Sequence, residues 1–110
     1  MTATYRLVRS ARRDLQEISD YWVSEAGEGP ALKVIGGVIE TIVTISRHPG
    51  AGVPAEQFGV GVRKFPTGKY MVYYRIYSGG IEILHVFNGA RDQAAAQRRG
   101  GTRRGGSSQS

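Results

Sequence analysis

Lys69-Tyr70-Met71-Val72-Tyr73-Tyr74-Arg75-Ile76-Tyr77, then Ser78-Gly79-Gly80, then Ile81 to Phe87, is the stretch that decides the architecture of this 110-residue chain. Its first part is dense in aromatic and β-branched residues, which suit a pleated, half-buried surface. Ser78-Gly79-Gly80 has the backbone freedom of a hairpin turn, so Ile81 to Phe87 is read as the returning partner strand. Side chains alternate between the two faces of a strand. Tyr70, Val72, Tyr74 and Ile76 are therefore expected on the core face, and Lys69, Met71, Tyr73, Arg75 and Tyr77 on the open one. On the returning strand Ile81, Ile83, His85 and Phe87 alternate with Glu82, Leu84 and Val86.

Upstream of this hairpin, Val60 to Phe65 reads as a short strand, and His48-Pro49-Gly50-Ala51-Gly52-Val53-Pro54 cannot continue a helix and reads as a loop. Before that loop the period changes from two to 3.6. Ala11, Leu15, Ile18 and Trp22 recur at spacings of four, three and four, one apolar stripe on a helix to about Glu25 with Ser10 as its N-cap. Ala26-Gly27-Glu28-Gly29-Pro30 stops that helix and restarts another with proline in its first turn. The second helix runs from about Pro30 to Arg47, with Leu32, Ile35, Val38 or Ile39, Ile42 and Ile45 on the helical period. Gly36-Gly37 interrupts it, each glycine costing about 0.8–1 kcal/mol against alanine, and close approach to the first helix is the expected reason. Thr4 to Val8 alternates polar and apolar and reads as a first strand. The order is β-α-α-β-β-β: an α+β fold with a helical hairpin packed on one face of a small antiparallel sheet.

Composition narrows the function classes. The chain has no cysteine, hence no disulfide, thiolate metal site or cysteine nucleophile. The N-terminus shows no basic stretch leading into an apolar one, so no signal peptide is expected. The apolar-rich segment from Ala31 to Ile45, broken by Lys33, Gly36, Gly37, Glu40 and Thr41, falls short of the roughly 20 residues of a membrane span. A cytoplasmic protein without membrane contact is expected. Of the 15 basic residues, Arg98, Arg99, Arg103 and Arg104 lie beyond Asp92, where no acid stands. Residues 1–92 carry 11 basic against nine acidic side chains, a net of +2, and read as the folded domain. Residues 93–110 read as a basic Gly/Arg/Ser-rich flexible tail. Basicity that sits mostly in a tail leaves direct nucleic-acid binding by the domain open.

The open sheet face is where binding chemistry is expected to gather. Arg63, Lys64, Lys69, Tyr73, Arg75 and Arg91 converge near it or its rim, a basic and aromatic surface for an acidic peptide or RNA. The same residues also fit a solvated face with snorkelling side chains. His48 and His85 are the only histidines. With no second ligand at metal spacing, neither a metal nor any other cofactor is expected. His85, inside an apolar strand, reads as a hydrogen-bonded structural histidine rather than a general base. Gly59-Val60-Gly61 precedes a strand rather than a helix and is no phosphate-binding loop. No serine sits in a nucleophile elbow. Catalytic residues stay unassigned.

Several segments together resemble a known family. Tyr5-Arg6-Leu7 … Ala11-Arg12-Arg13-Asp14-Leu15-Gln16-Glu17-Ile18 … Tyr21-Trp22 is similar to the opening of ParE-type toxins, and His48-Pro49-Gly50 with Gly52 to the end of their second helix. Val62-Arg63-Lys64-Phe65-Pro66 … Tyr70 … Tyr73-Tyr74-Arg75-Ile76 resembles their central strands. Ile83-Leu84-His85-Val86-Phe87-Asn88-Gly89-Ala90-Arg91-Asp92 resembles the closing strand and its "H-G-A-R-D" end. The resemblance, from Thr4 to Asp92, implies the RelE/ParE superfamily of type II toxin–antitoxin toxins. It implies a small antitoxin partner with an acidic C-terminal region and a ribbon-helix-helix N-terminus. ParE-like members that have a known target poison DNA gyrase; RelE-like members cut mRNA on the ribosome with a cationic set and often a terminal tyrosine. Here Lys64 and Arg91 match cationic positions of the nuclease type, Met71 replaces a basic residue, and no tyrosine follows Arg91. The resemblance therefore leans towards a ParE-like gyrase inhibitor, the alternatives being a RelE-like endoribonuclease or a non-toxic antitoxin-binding module.

Overall fold

The computed structural model describes residues 4–89. Arg91, the end of the expected 1–92 domain and the 93–110 segment lie outside the described residues. In chain order the elements are β1 (Tyr5–Leu7), α1 (Arg9–Ala26), α2 (Glu28–Arg47), β2 (Val53–Pro54), β3 (Arg63–Thr67), β4 (Tyr70–Tyr77) and β5 (Gly80–Asn88). Two helices pack on one sheet, as expected, but the sheet is mixed rather than antiparallel. Its order is β1-β5-β4-β3-β2, with β1 parallel to β5 and the other pairs antiparallel. A parallel pair needs a long crossover, and the helical hairpin supplies it. Two-residue β2, within the segment read as loop, pairs with β3 through Val53 and Pro54. A proline suits such an edge because it has no N–H to donate inwards.

The helices differ from expectation at four points. A single residue, Gly27, joins them with φ at 98°, in the region that favours glycine. Ser10 does not cap α1; its hydroxyl donates to the Leu84 carbonyl (2.7 Å), so it ties helix to sheet. The stripe Ala11, Leu15 and Ile18 is buried, with Trp22 half-buried at its end. On α2 the buried line is Ala31, Val38, Ile42 and Ile45, while Leu32 is 73% exposed. Nor does Gly36-Gly37 reflect close packing: a Cβ at either position would meet nothing within 4 Å. By length and composition α2 could cross a bilayer; its Val38, Ile42 and Ile45 are core residues packed with α1 and the sheet.

Beneath the helices the core face holds Tyr70, Val72, Tyr74, Ile81, Ile83 and Val86. On β4 the expected alternation is observed from Tyr70 to Tyr74, but Ile76, expected on the core face, is 49% exposed near the end of the hairpin, beyond the cover of the helices. On β5 it breaks, because Tyr73 pairs with His85 and Tyr74 with Ile83, leaving Leu84 as the extra residue of a β-bulge. Past the bulge the faces exchange. Val86 enters the core, and Phe87 packs on the opposite face against Tyr73, contrary to the expected grouping of His85 and Phe87 with Ile81 and Ile83.

Candidate functional site

The sheet face away from the helices is not open along its length. The chain between α2 and β3 folds back over it, and Ala55, Val62 and Tyr73 form a second buried cluster edged by Phe58, Met71, Leu84 and Phe87. Tyr74 anchors the start of this cover from the other side: its hydroxyl donates to the Pro49 carbonyl (2.6 Å) and accepts from the Gly52 amide (2.8 Å). Gly52 has to be glycine there, since a Cβ would fall 2.6 Å from the Tyr74 hydroxyl and 2.7 Å from the Lys64 carbonyl.

The six residues expected on one surface divide. Arg63 is spent on structure, its guanidinium donating to the Gly52 carbonyl at 2.7 and 3.1 Å and to the Gly50 carbonyl at 3.3 Å. Tyr73 is 1% exposed, its ring wedged between Phe58 (centroids 4.6 Å) and Phe87 (5.7 Å). The Tyr73 hydroxyl is buried and has no hydrogen-bond partner among the described residues. Lys64, half-buried, stands opposite Tyr73 on β3. Arg75 is exposed on this face beside the Gly59–Gly61 turn. It stands in register with Glu82, but that carboxylate is taken by Arg6 (2.9 Å), and Arg75 makes no ion pair among the described residues. Arg6 also stacks over Tyr77, 4.2 Å from the ring centroid.

Lys69 is the clear departure from expectation. It lies in the β3–β4 turn, where strand alternation does not govern, and its ammonium sits 5.3 Å from the Trp22 ring centroid on the helical side. Arg91, the sixth, falls outside the described residues.

A further constellation was not anticipated. β1 ends at Leu7, so β5 beyond Ile83 has no strand on that side, and α1 takes its place. Val8 donates its amide to Ile83, Ser10 its hydroxyl to Leu84, and Asp14 Oδ2 accepts the Val86 amide at 3.0 Å. The same oxygen is 2.9 Å from His85 Nδ1, which sets that nitrogen as the donor. The signal was present in the sequence: Ser10 and Asp14 stand four apart, directly flanking the buried Ala11 and Leu15. What did not show was the gap in the sheet edge they fill.

Comparison with known proteins agrees with this architecture. Residues 5–93 match the family model described as the ParE toxin of the type II toxin–antitoxin system parDE. The chain is 34% identical over 84 residues to Toxin ParE1 of Caulobacter vibrioides, covering 76% of this chain and 86% of that protein. Among solved structures it resembles the chromosomal ParDE system of P. aeruginosa, with a TM-score of 0.68 and 27% identity over 77% of this chain and 94% of the other. It also resembles the RelBE2 toxin–antitoxin complex of Mycobacterium tuberculosis, with a TM-score of 0.61 and 25% identity over 80% and 99% of the two chains. A helical hairpin on a mixed five-stranded sheet, with a family match spanning all of it, makes this chain a member of the ParE toxin family of type II toxin–antitoxin systems.

Proposed function

We propose that this toxin arrests growth by inhibiting DNA gyrase in the cytoplasm, without a cofactor, and is neutralised by a cognate small antitoxin with an acidic C-terminal region and a ribbon-helix-helix N-terminus. The observation that carries the choice of target is the fate of the polar groups on the sheet face. Cleaving RNA through its 2′-hydroxyl needs an activating base, charge for the phosphate and a proton donor, all presented to the substrate. Here Arg63 is engaged by backbone carbonyls and the Tyr73 hydroxyl is buried, while the apolar Met71 stands two residues before Tyr73 on β4. A surface of that kind supports binding to a protein target better than phosphodiester chemistry. The RelE-like reading keeps one observation in its favour: His85 is oriented by Asp14 and its side chain is 43% exposed, which suits a general base.

Inducing the chain alone should block division and trigger the DNA-damage response, and the purified protein should inhibit gyrase supercoiling. Co-expression with the antitoxin should reverse both. Cleavage of translating mRNA with gyrase untouched would move the protein to the RelE-like class.

A further inference from the structure

Val60 stands in the chain that covers the sheet face, between Gly59 and Gly61, and is 87% exposed. It is the most exposed large apolar side chain among the described residues. Turns are ordinarily built from Gly, Pro, Asn, Asp and Ser. A β-branched valine at such a place contributes almost nothing to the packing of its own fold.

The turn that presents it is braced from below. Val62 donates its amide to the Gly59 carbonyl (3.1 Å), and Ala55 donates to the Val62 carbonyl (2.8 Å). Val62 and Ala55 are themselves buried with Tyr73. Gly59 and Gly61 have φ of 138° and 77°, in the region that favours glycine, so the turn needs both. Val60 is thus held out from a base fixed in the second buried cluster.

Arg75 adds a charge beside that tip. A Cβ at Gly61 would lie 3.9 Å from Arg75 Cγ, and one at Gly59 would lie 3.6 Å from a guanidinium nitrogen. The side chain therefore runs along glycine backbone, close to Val60. The carboxylate in register with it, Glu82, is bound by Arg6, which also stacks over Tyr77. Arg75 has no acceptor of its own among the described residues. A guanidinium fork matches carboxylate or phosphate oxygens. The valine decides between them, because an apolar side chain is desolvated in a protein recess and gains nothing from a phosphate backbone.

We infer that Val60 and Arg75 together form the toxin's contact with gyrase, Val60 entering an apolar recess and the Arg75 guanidinium pairing with a carboxylate on that protein. The inference rests on the gyrase reading above and adds to it the surface used. Arginine is among the residues enriched where interfaces concentrate their binding energy.

The test uses the full-length toxin, purified gyrase holoenzyme and relaxed plasmid, with affinity for DNA-free gyrase measured by calorimetry. Val60→Asp and Arg75→Glu should each raise the concentration for half-inhibition of supercoiling at least tenfold and weaken gyrase binding to match. Arg75→Lys, which keeps the charge and loses the fork, should fall between wild type and Arg75→Glu. Circular dichroism and antitoxin affinity within twofold of wild type should show each variant folded. If wild type inhibits gyrase and both folded variants inhibit it equally well, the contact surface is overturned and the gyrase reading stands. If wild type leaves gyrase untouched, both are overturned. Lost inhibition with unchanged affinity for DNA-free gyrase would assign Arg75 to DNA, and antitoxin binding weakened with inhibition intact would assign the tip to the antitoxin. Either result overturns the inference.

Discussion

At the scale of single residues, Asp14 does the most with the fewest atoms. One carboxylate oxygen accepts the Val86 amide and faces His85 Nδ1, at a point where the sheet has run out of strand. Removing it would leave a buried backbone N–H without a partner, a loss of about 1–3 kcal/mol, and more where the lost partner is charged. Asp14→Ala should therefore lower the melting temperature by roughly 4–8 °C per kcal/mol lost, the scale for a domain of this size. Asp14→Asn keeps an acceptor at the same place and should cost clearly less. Equal melting temperatures for the two variants, by thermal circular dichroism, would mean that the Val86 contact contributes nothing. The buried position of Asp14 was not legible beforehand, since an acid next to an apolar helical stripe is ordinarily a solvated neighbour. Only the three-dimensional shortfall of β1 gives it work to do.

At the scale of elements, α2 tests the reading of glycine. Gly36 is exposed and a Cβ there meets open space. Gly36→Ala should stabilise the fold by about 0.8–1 kcal/mol through helix propensity alone, read as a higher melting temperature in thermal circular dichroism. A lower melting temperature would reveal a packing role that the geometry does not contain. The β4–β5 hairpin was legible because turn chemistry and strand alternation are local signals, and the α1 stripe because its period is. Pairing direction is not local, so the parallel β1–β5 contact could not be read, and an antiparallel sheet was expected. The bulge at Leu84 was hidden for a similar reason: it changes the count of residues between two pairings and leaves composition untouched. That single extra residue sent Val86 into the core and Phe87 out of it. Assigning Lys69 to the face of Arg75 failed because alternation was carried one residue too far, into a turn.

For the whole molecule, the two surfaces carry different chemistry. Lys33 and Lys69 rim a groove on the helical side, while Arg75 stands exposed on the opposite sheet face with Glu82 already engaged by Arg6. If gyrase is engaged through the sheet face, Arg75 is the residue that tests it. Arg75→Ala should leave the fold intact, since an exposed charge without an ion pair contributes little to stability, and should reduce inhibition of gyrase supercoiling. Inhibition left intact in the folded variant would remove the sheet face around Arg75 as the gyrase contact. The resemblance across Thr4 to Asp92 brought the family within reach of the sequence. The division of the six candidate residues was beyond it, because it depends on a loop folding back over one side of the sheet.

The pairing of β1 with β5 also has a bearing on the order of events during synthesis. Tyr5 is matched to Ile81, so the first strand made waits for the last, and β5 lies between β1 and β4 in the finished sheet. Contacts so distant along the chain form late and only when both partners are present. The helical hairpin can assemble while the ribosome is still translating, but the sheet cannot close until β5 has cleared the exit tunnel. A nascent chain of this kind thus lacks its finished sheet until translation has passed its final strand, and a partner waiting at the tunnel mouth meets the helical surface before the sheet is complete.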